Sequence, residues 1–313
     1  MIRLLAVLVA AGDIAVFSAS GEQRVNVLEP PSGNRFLVDP CWASPTDLVT
    51  LNEGPPSLLQ RRAGTAPPVT VRRVRRMVNA SLAPGCKTMA LLRTGQRGYD
   101  VWLRSGGRAR RVLRTHTDWE IQPRFSWTPD ARRVAISPRS FDARLRVLDV
   151  ARGRVIRGFS LRGRGGVDEL GAQALSPDGR YVVFGQGSPS FRVRIADVRT
   201  GKVRVLIKPA SAAAFSRKGD RIAVATADGV KIIDLAGRTL ATLPDVGGDH
   251  LAWSPDDTRI AVTGQSDAAS VDVIDLTAVP PRVDRRLRPS HHFSSPAVWS
   301  PDGTQLAIER DPF

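Results

Sequence analysis

One short phrase recurs along the chain: a large apolar residue, a small hydroxylated or apolar residue, Pro-Asp-Gly or a close variant, then a β-rich run. The clearest copies are Leu175-Ser176-Pro177-Asp178-Gly179 before Tyr181-Val182-Val183-Phe184 and Trp299-Ser300-Pro301-Asp302-Gly303 before Gln305-Leu306-Ala307-Ile308. Trp253-Ser254-Pro255-Asp256-Asp257 and Trp127-Thr128-Pro129-Asp130 follow the same scheme. Phe215-Ser216-Arg217-Lys218-Gly219 keeps the frame without its proline, and Leu82-Ala83-Pro84-Gly85 and Ala43-Ser44-Pro45-Thr46 are weaker copies. The third residue of each copy falls at 45, 84, 129, 177, 217, 255 and 301, so the spacings are 39, 45, 48, 40, 38 and 46. A period of about 40–50 residues with strand-turn-strand content marks the blades of a β-propeller.

The phrase has a mechanical meaning. In a type I turn Ser suits the first position, Pro the second because its φ is preset, and Gly the fourth. Ser-Pro-Asp-Gly therefore reverses the chain between two antiparallel strands. Trp127, Leu175, Phe215, Trp253 and Trp299 share one position ahead of it, with Ser126, Ala174, Ala214 and Ala252 just before them. Large side chains on one face pack between blades, and the small residues permit close approach near the axis. A later slot holds Val147-Leu148-Asp149-Val150, Ile195-Ala196-Asp197-Val198, Ile232-Ile233-Asp234-Leu235 and Val273-Ile274-Asp275-Leu276. Glycine and a last strand usually follow, so each blade is two hairpins.

These patterns predict an all-β chain, a seven-bladed β-propeller with the last blade closed by N-terminal strands. The copies override the two-domain expectation that 313 residues would carry. No run of helical periodicity with caps occurs. The chain ends after two strands of the seventh copy, and Arg24-Val25-Asn26-Val27-Leu28 with Arg35-Phe36-Leu37-Val38 are expected to supply the other two. Such closure removes free sheet edges. Domain 21–313 is the propeller. Residues 1–20 have two readings. Arg3, the apolar run Leu4–Ala11 and Ser18-Ala19-Ser20 fit a secretory signal peptide, too short to span a bilayer. Against it, Asp13 interrupts the apolar stretch, and Gly12 to Gly21 parallels Gly219 to Gly229, which makes residues 4–18 propeller strands instead.

The formal net charge is +16, almost all of it arginine, with five lysines. Arginines alternate with apolar residues, as in Phe191-Arg192-Val193-Arg194-Ile195. That places them on the wet face of outer strands, where charge discourages edge pairing. Weak, non-specific attraction to anionic polymers is the expected consequence, without sequence-specific nucleic-acid binding. The two cysteines, Cys41 and Cys86, are expected at opposite ends of neighbouring strands and therefore as free thiols.

The Ser-Pro-Asp-Gly phrase, the Arg-Ile-Ala-Val-type strand after it and the later Ile-Asp-Leu-x-x-Gly resemble the WD40-like repeats of TolB-type β-propellers, over roughly residues 22–313. The resemblance implies a scaffold that presents loops, with protein or peptide binding as the usual use. It departs from TolB itself, which carries an additional α/β domain and six blades. No Gly-x-Ser-x-Gly elbow of a hydrolase domain occurs.

In propellers, sites form at the channel mouth, where each first strand begins. Six residues before the third residue of each phrase stand Asp39, Val78, Pro123, Gly171, Ser211, Asp249 and Ser295; one slot later stand Pro40, Asn79, Arg124, Ala172, Ala212, His250 and Pro296. Two carboxylates and one histidine among fourteen positions make neither a metal cage nor an acid–base pair. The expectation is therefore a non-catalytic scaffold without cofactor or metal, monomeric, without a transmembrane span, secreted or in the cell envelope, the cytoplasm being the other reading. Its binding candidates lie in channel-mouth loops: Asp118, Trp119 and Glu120, then Asp249 and His250, then His291 and His292. An aromatic flanked by charges on a loop suits partner contact. The alternative is a small-molecule lyase or hydrolase at the mouth, using Asp39, Asp249 and His250.

Overall fold

The computed structural model describes residues 13–19, 24–28, 36–53, 57–63, 69–74, 77–95, 98–115, 124–137, 144–160, 167–171, 173–187, 191–244, 246–264, 270–287 and 296–310. No helix occurs among them. The chain opens with β1 (Asp13–Ser18) and β2 (Arg24–Leu28). Sheet 1 is β3 (Phe36–Trp42), β4 (Asp47–Glu53), β5 (Ser57–Ala63) and β6 (Val69–Val74). Sheet 2 is β7 (Met77–Leu82), β8 (Thr88–Gly95), β9 (Gly98–Ser105) and β10 (Arg108–Thr115). Sheet 3 is β11 (Arg124–Trp127), β12 (Arg133–Ser137), β13 (Arg144–Asp149) and β14 (Arg154–Ser160). Sheet 4 is β15 (Val167–Glu169), β16 (Tyr181–Gln186), β17 (Arg192–Asp197) and β18 (Val203–Ile207). Sheet 5 is β19 (Ala213–Phe215), β20 (Arg221–Thr226), β21 (Gly229–Asp234) and β22 (Thr239–Leu243). Sheet 6 is β23 (His250–Trp253), β24 (Arg259–Thr263), β25 (Val271–Asp275) and β26 (Arg282–Leu287).

The last strands, β27 (Val298–Trp299) and β28 (Gln305–Arg310), join the first two in a sheet of order β2-β1-β28-β27, called sheet 7. The expected closure by N-terminal strands holds for Arg24–Leu28, which is β2, but not for residues 35–38: β1 is the other strand that completes the sheet, while Phe36–Trp42 opens sheet 1. Burial decides this. Ile14 and Ala15 are fully buried and Val16 and Phe17 nearly so, and β1 runs antiparallel to β28 from Asp13↔Arg310 to Ser18↔Gln305. An unbroken apolar run suits this central position better than Arg35-Phe36-Leu37-Val38 would. A leader removed after Ser20 would take β1 with it.

The Ser-Pro-Asp-Gly phrase folds as a turn with a side-chain clasp inside it. Gly179 N–H donates to Ser176 C=O at 2.7 Å, closing the β-turn. The Ser176 hydroxyl donates to Asp178 (2.6 Å) and accepts from Tyr181 N–H (2.8 Å), while Asp178 also accepts from Arg180 N–H (2.9 Å). Thr128–Asp130, Ser254–Asp256 and Ser300–Asp302 repeat the hydroxyl-to-carboxylate bond, each at 2.6 Å. Gly179 itself has φ +66°, and a Cβ built there would collide with Arg133 of the preceding sheet. That slot is left-handed in the six later copies, at Cys86, Ala131, Gly179, Gly219, Asp257 and Gly303, and it faces the sheet before it.

This geometry overturns the free-thiol expectation. Cys86 occupies the left-handed slot (φ +57°) and bonds to Cys41 of the preceding sheet, with Cα atoms 5.9 Å apart. Both cysteines sit at the turn end of their hairpins, not at opposite ends. The frame of the first copy is also displaced by one. Trp42, not Ala43, holds the aromatic slot, because it pairs with Leu48 across a turn one residue shorter than the Trp253↔Ile260 turn. Cys41 therefore takes the small-residue slot.

Candidate binding face

β3, β7, β11, β15, β19, β23 and β27 lie innermost, so the small-residue and aromatic slots meet at every junction between neighbours. Trp127 donates its indole N–H to the Ser81 hydroxyl (3.0 Å). Trp253 donates to Ala214 C=O (3.0 Å), Trp299 to Ala252 C=O (2.9 Å) and Trp42 to Val298 C=O (3.0 Å). Where the aromatic slot lacks an indole, another bond takes over. Leu175 N–H donates to Ser126 Oγ (2.9 Å) and Phe215 N–H to Gln173 C=O (2.8 Å). Between sheets 1 and 2, where the slot holds Leu82, the Cys41–Cys86 bridge makes the link. Each junction thus carries a directional tie beside its apolar packing. Gln173 adds one more: its amide accepts from Trp253 N–H (2.8 Å) and donates to Trp253 C=O (3.1 Å), reaching from sheet 4 past sheet 5 to sheet 6.

The arginines are not all idle on a wet surface, as the sequence suggested. Arg221 and Arg259 stand 4.9 and 5.0 Å over the rings of Trp253 and Trp299 of the next sheet, and donate to Asp257 and Gly303 carbonyls there. On the outer strands, Arg110 donates to Val150 and Ala151 carbonyls, Arg157 to Val198 and Arg199, and Arg204 to Leu235 and Ala236. These three occupy one slot in consecutive sheets. Their guanidinium groups meet neutral oxygens, so their charge is tied in place but not cancelled.

The copy without proline has its own compensation. Losing Pro leaves an N–H at Arg217, and Asp257, standing where the next copy would hold Gly, accepts it at 2.5 Å together with Lys218 N–H at 2.8 Å. Asp257 is 4% exposed. Burial lowers the Arg217 guanidinium below its ordinary range, and the charge of Asp257 opposes that.

At the channel mouth, sheet 6 is the best described. Asp249 is exposed and its N–H donates to Thr263 C=O (3.0 Å). His250, the first residue of β23, is buried at 7% exposure opposite Thr263. Neighbours on an extended strand face opposite ways, which agrees with one being exposed and the other covered. A Cβ on Gly248 would lie 2.8 Å from Thr263 C=O, so the Gly247-Gly248 approach to the strand lies flat on β24. One register step inward, the buried Asp272 accepts two bonds from Arg286 (2.8 and 3.0 Å), which raises the arginine's pKa further. Asp39 lies in β3 of sheet 1, separated from sheet 6 by sheet 7, and its side chain is outside the described residues. Asp118, Trp119, Glu120, His291 and His292 are outside them too. Among the described residues no three His, Cys, Asp or Glu side chains are gathered as a metal site. Among the described residues no helix is long and apolar enough to cross a membrane.

Sequence reasoning missed Gln173, Asp257 and the three outer arginines. The departures Arg217-for-Pro and Asp257-for-Gly in adjacent copies, and arginine recurring in the last strand, were the available signals.

No protein-family profile matches the chain, and no curated protein matches it. Solved structures do. A structure described as a putative TolB from Agrobacterium tumefaciens matches at TM-score 0.54 and 18% identity, over 96% of this chain and 98% of that one. Kuenenia stuttgartiensis hydrazine synthase matches at TM-score 0.62 and 17% identity, over 87% and 90%. TolB from Acinetobacter baumannii matches at TM-score 0.46 and 19% identity over 73% of this chain, which spans 62% of that protein.

Proposed function

We propose that this chain, a β-propeller of TolB type in its fold, acts as a non-catalytic, seven-bladed scaffold whose channel-mouth loops hold a protein or peptide partner, outside the cytosol. The observation that carries this reading is the system of ties at the junctions between sheets. It ties the innermost strand of each sheet to its neighbour, the fixed base that a loop-presenting platform requires. The separation of Asp39 from Asp249 and the opposed facing of Asp249 and His250 supports it over the lyase or hydrolase reading. The Cys41–Cys86 bridge supports an oxidising compartment, the cell envelope or the exterior, because such bonds are rare in reducing cytosol. On the same reading β1 stays with the mature domain.

The test is a photo-crosslinker placed at position 119 or 249 of the full chain. A discrete partner captured from envelope extracts of the native host, competed away by unlabelled protein, is the expected result. The same fold occurs in a protein named a hydrazine synthase, so metal analysis supplies the contrary outcome. Stoichiometric Ca²⁺ or Zn²⁺ in the purified protein, lost on Asp249→Ala, would move the assignment to the enzyme.

A further inference from the structure

The outer rim of sheets 2 to 5 combines two features not used by the channel mouth. Its four last strands, RARRVLRT, RVIRGFS, VRVLI and TLATL, contain no carboxylate. The clasped Arg110, Arg157 and Arg204 join β10, β14 and β18 to the turns of the next sheet through neutral carbonyls, so a positive charge stands at each of these three steps. Arg108, Arg154 and Lys202, also exposed, extend it. The second feature is apolar: Val155 and Ile156 are each 38% exposed, Val203 and Val205 37% and 39%, and Leu240 56%, all on the same outer strands. Exposed apolar residues thus recur beside the charge on three successive outer strands, β14, β18 and β22.

We propose that this rim is a docking surface for an acidic, unstructured polypeptide segment that carries occasional apolar residues. Charge complementarity selects an anionic occupant and supplies the encounter rate. Three observations select among anions. The rim is the convex outside of a ring, so a flat lipid surface meets only one or two sheets at a time, whereas a flexible chain follows the arc. The exposed Val155, Ile156, Val203 and Val205 give an acidic peptide's leucines or phenylalanines a place, which a sulfated or carboxylated sugar polymer does not use. Nucleic acid would need stacking partners, and the one aromatic residue of these four strands, Phe159, is buried at 3% exposure. The rim lies away from the mouth, so this surface stands whether or not the loops above hold a partner.

The probe is a labelled peptide of about twenty residues made of Glu, Asp, Leu and Phe, titrated by fluorescence anisotropy into the full chain at roughly 0.15 M salt, conditions under which long-range attraction is screened. Heparin, single-stranded DNA and phosphatidylglycerol vesicles are titrated alongside. Arg108→Glu/Arg154→Glu/Lys202→Glu, which spares the clasped arginines, is expected to weaken the peptide about tenfold or more. Val155→Ser/Val203→Ser/Val205→Ser is expected to weaken it about threefold or more and to leave heparin unchanged. Asp249→Ala at the mouth is expected to leave it unaltered, which separates this surface from the loop site. Near-ultraviolet circular dichroism of each variant checks that the ring is intact. Tighter binding of heparin, DNA or vesicles than of the peptide, or peptide binding indifferent to the serine variant, would overturn the proposal.

Discussion

Asp257 shows how a single residue holds two blades in place. Its carboxylate is buried and receives the backbone N–H groups of Arg217 and Lys218, which a proline at 217 would have halved. Removing it leaves two part-buried donors without that acceptor, each costing about 1–3 kcal/mol at most. Asp257→Ala should therefore destabilise the chain by about 2–4 kcal/mol in urea unfolding. Restoring the phrase with Arg217→Pro/Asp257→Gly should recover most of that loss, whereas Arg217→Pro alone leaves the carboxylate buried with one bond fewer. A double variant no more stable than Asp257→Ala would show that the two departures are unrelated.

At the scale of the element, the hairpin turns rest on ionised aspartates. Asp197 accepts from Arg199 and Thr200 N–H (both 2.8 Å), Asp234 from Ala236 and Arg238 N–H (both 2.9 Å), and Asp149 from Arg152 N–H (2.7 Å). Backbone donors, Thr200 foremost for Asp197 and Arg238 for Asp234, hold these carboxyls below the ordinary aspartate range. Asp149 is lowered chiefly by Arg152 N–H, Asp302 by the Ser300 hydroxyl and Asp275 by Thr277. The unfolded chain therefore takes up protons first as pH falls. The stability that these turns lend is complete above an ordinary aspartate value of about 3.9 and is lost as pH drops through it toward the lower folded values. The melting temperature should hold down to about pH 5 and decline below about pH 4. Asp197→Asn/Asp234→Asn should lower the plateau and flatten the acid limb; an unchanged limb would assign the acid sensitivity elsewhere.

For the whole molecule, the seven four-stranded sheets of the described residues depend on ties that close a circle. The indoles of Trp42, Trp127, Trp253 and Trp299 serve four junctions, and the disulfide serves the one where Leu82 stands in the aromatic slot. The bridge spans a sequence separation of 45. In the chain-entropy account a loop of that size is worth about 4 kcal/mol. Cys41→Ser, or reduction with dithiothreitol, should lower unfolding stability by a figure of that order, with sheets 1 and 2 losing amide protection before sheets 3 to 6. Uniform loss of protection around the ring, or no change on reduction, would deny the bridge this role.

The repeated phrase, with its two-residue alternation before and after, was enough to determine the all-β architecture, the strand-turn-strand unit and the need for strands from the other terminus. Those are local matters: Ser, Pro, Asp and Gly act within five residues of one another, and alternation is read along a single strand. Which N-terminal strands complete sheet 7, and that Cys41 meets Cys86, were decided by the ring. β1 takes the central place because Ile14 to Phe17 is the run that buries best against β28. The bridge forms because the left-handed slot aims its Cβ at the sheet before it, a direction that only the packing of one blade against the next defines. The channel mouth was the least legible part of the chain. Its candidates come from different blades, and their distances depend on the angle between sheets, which no spacing in the sequence encodes.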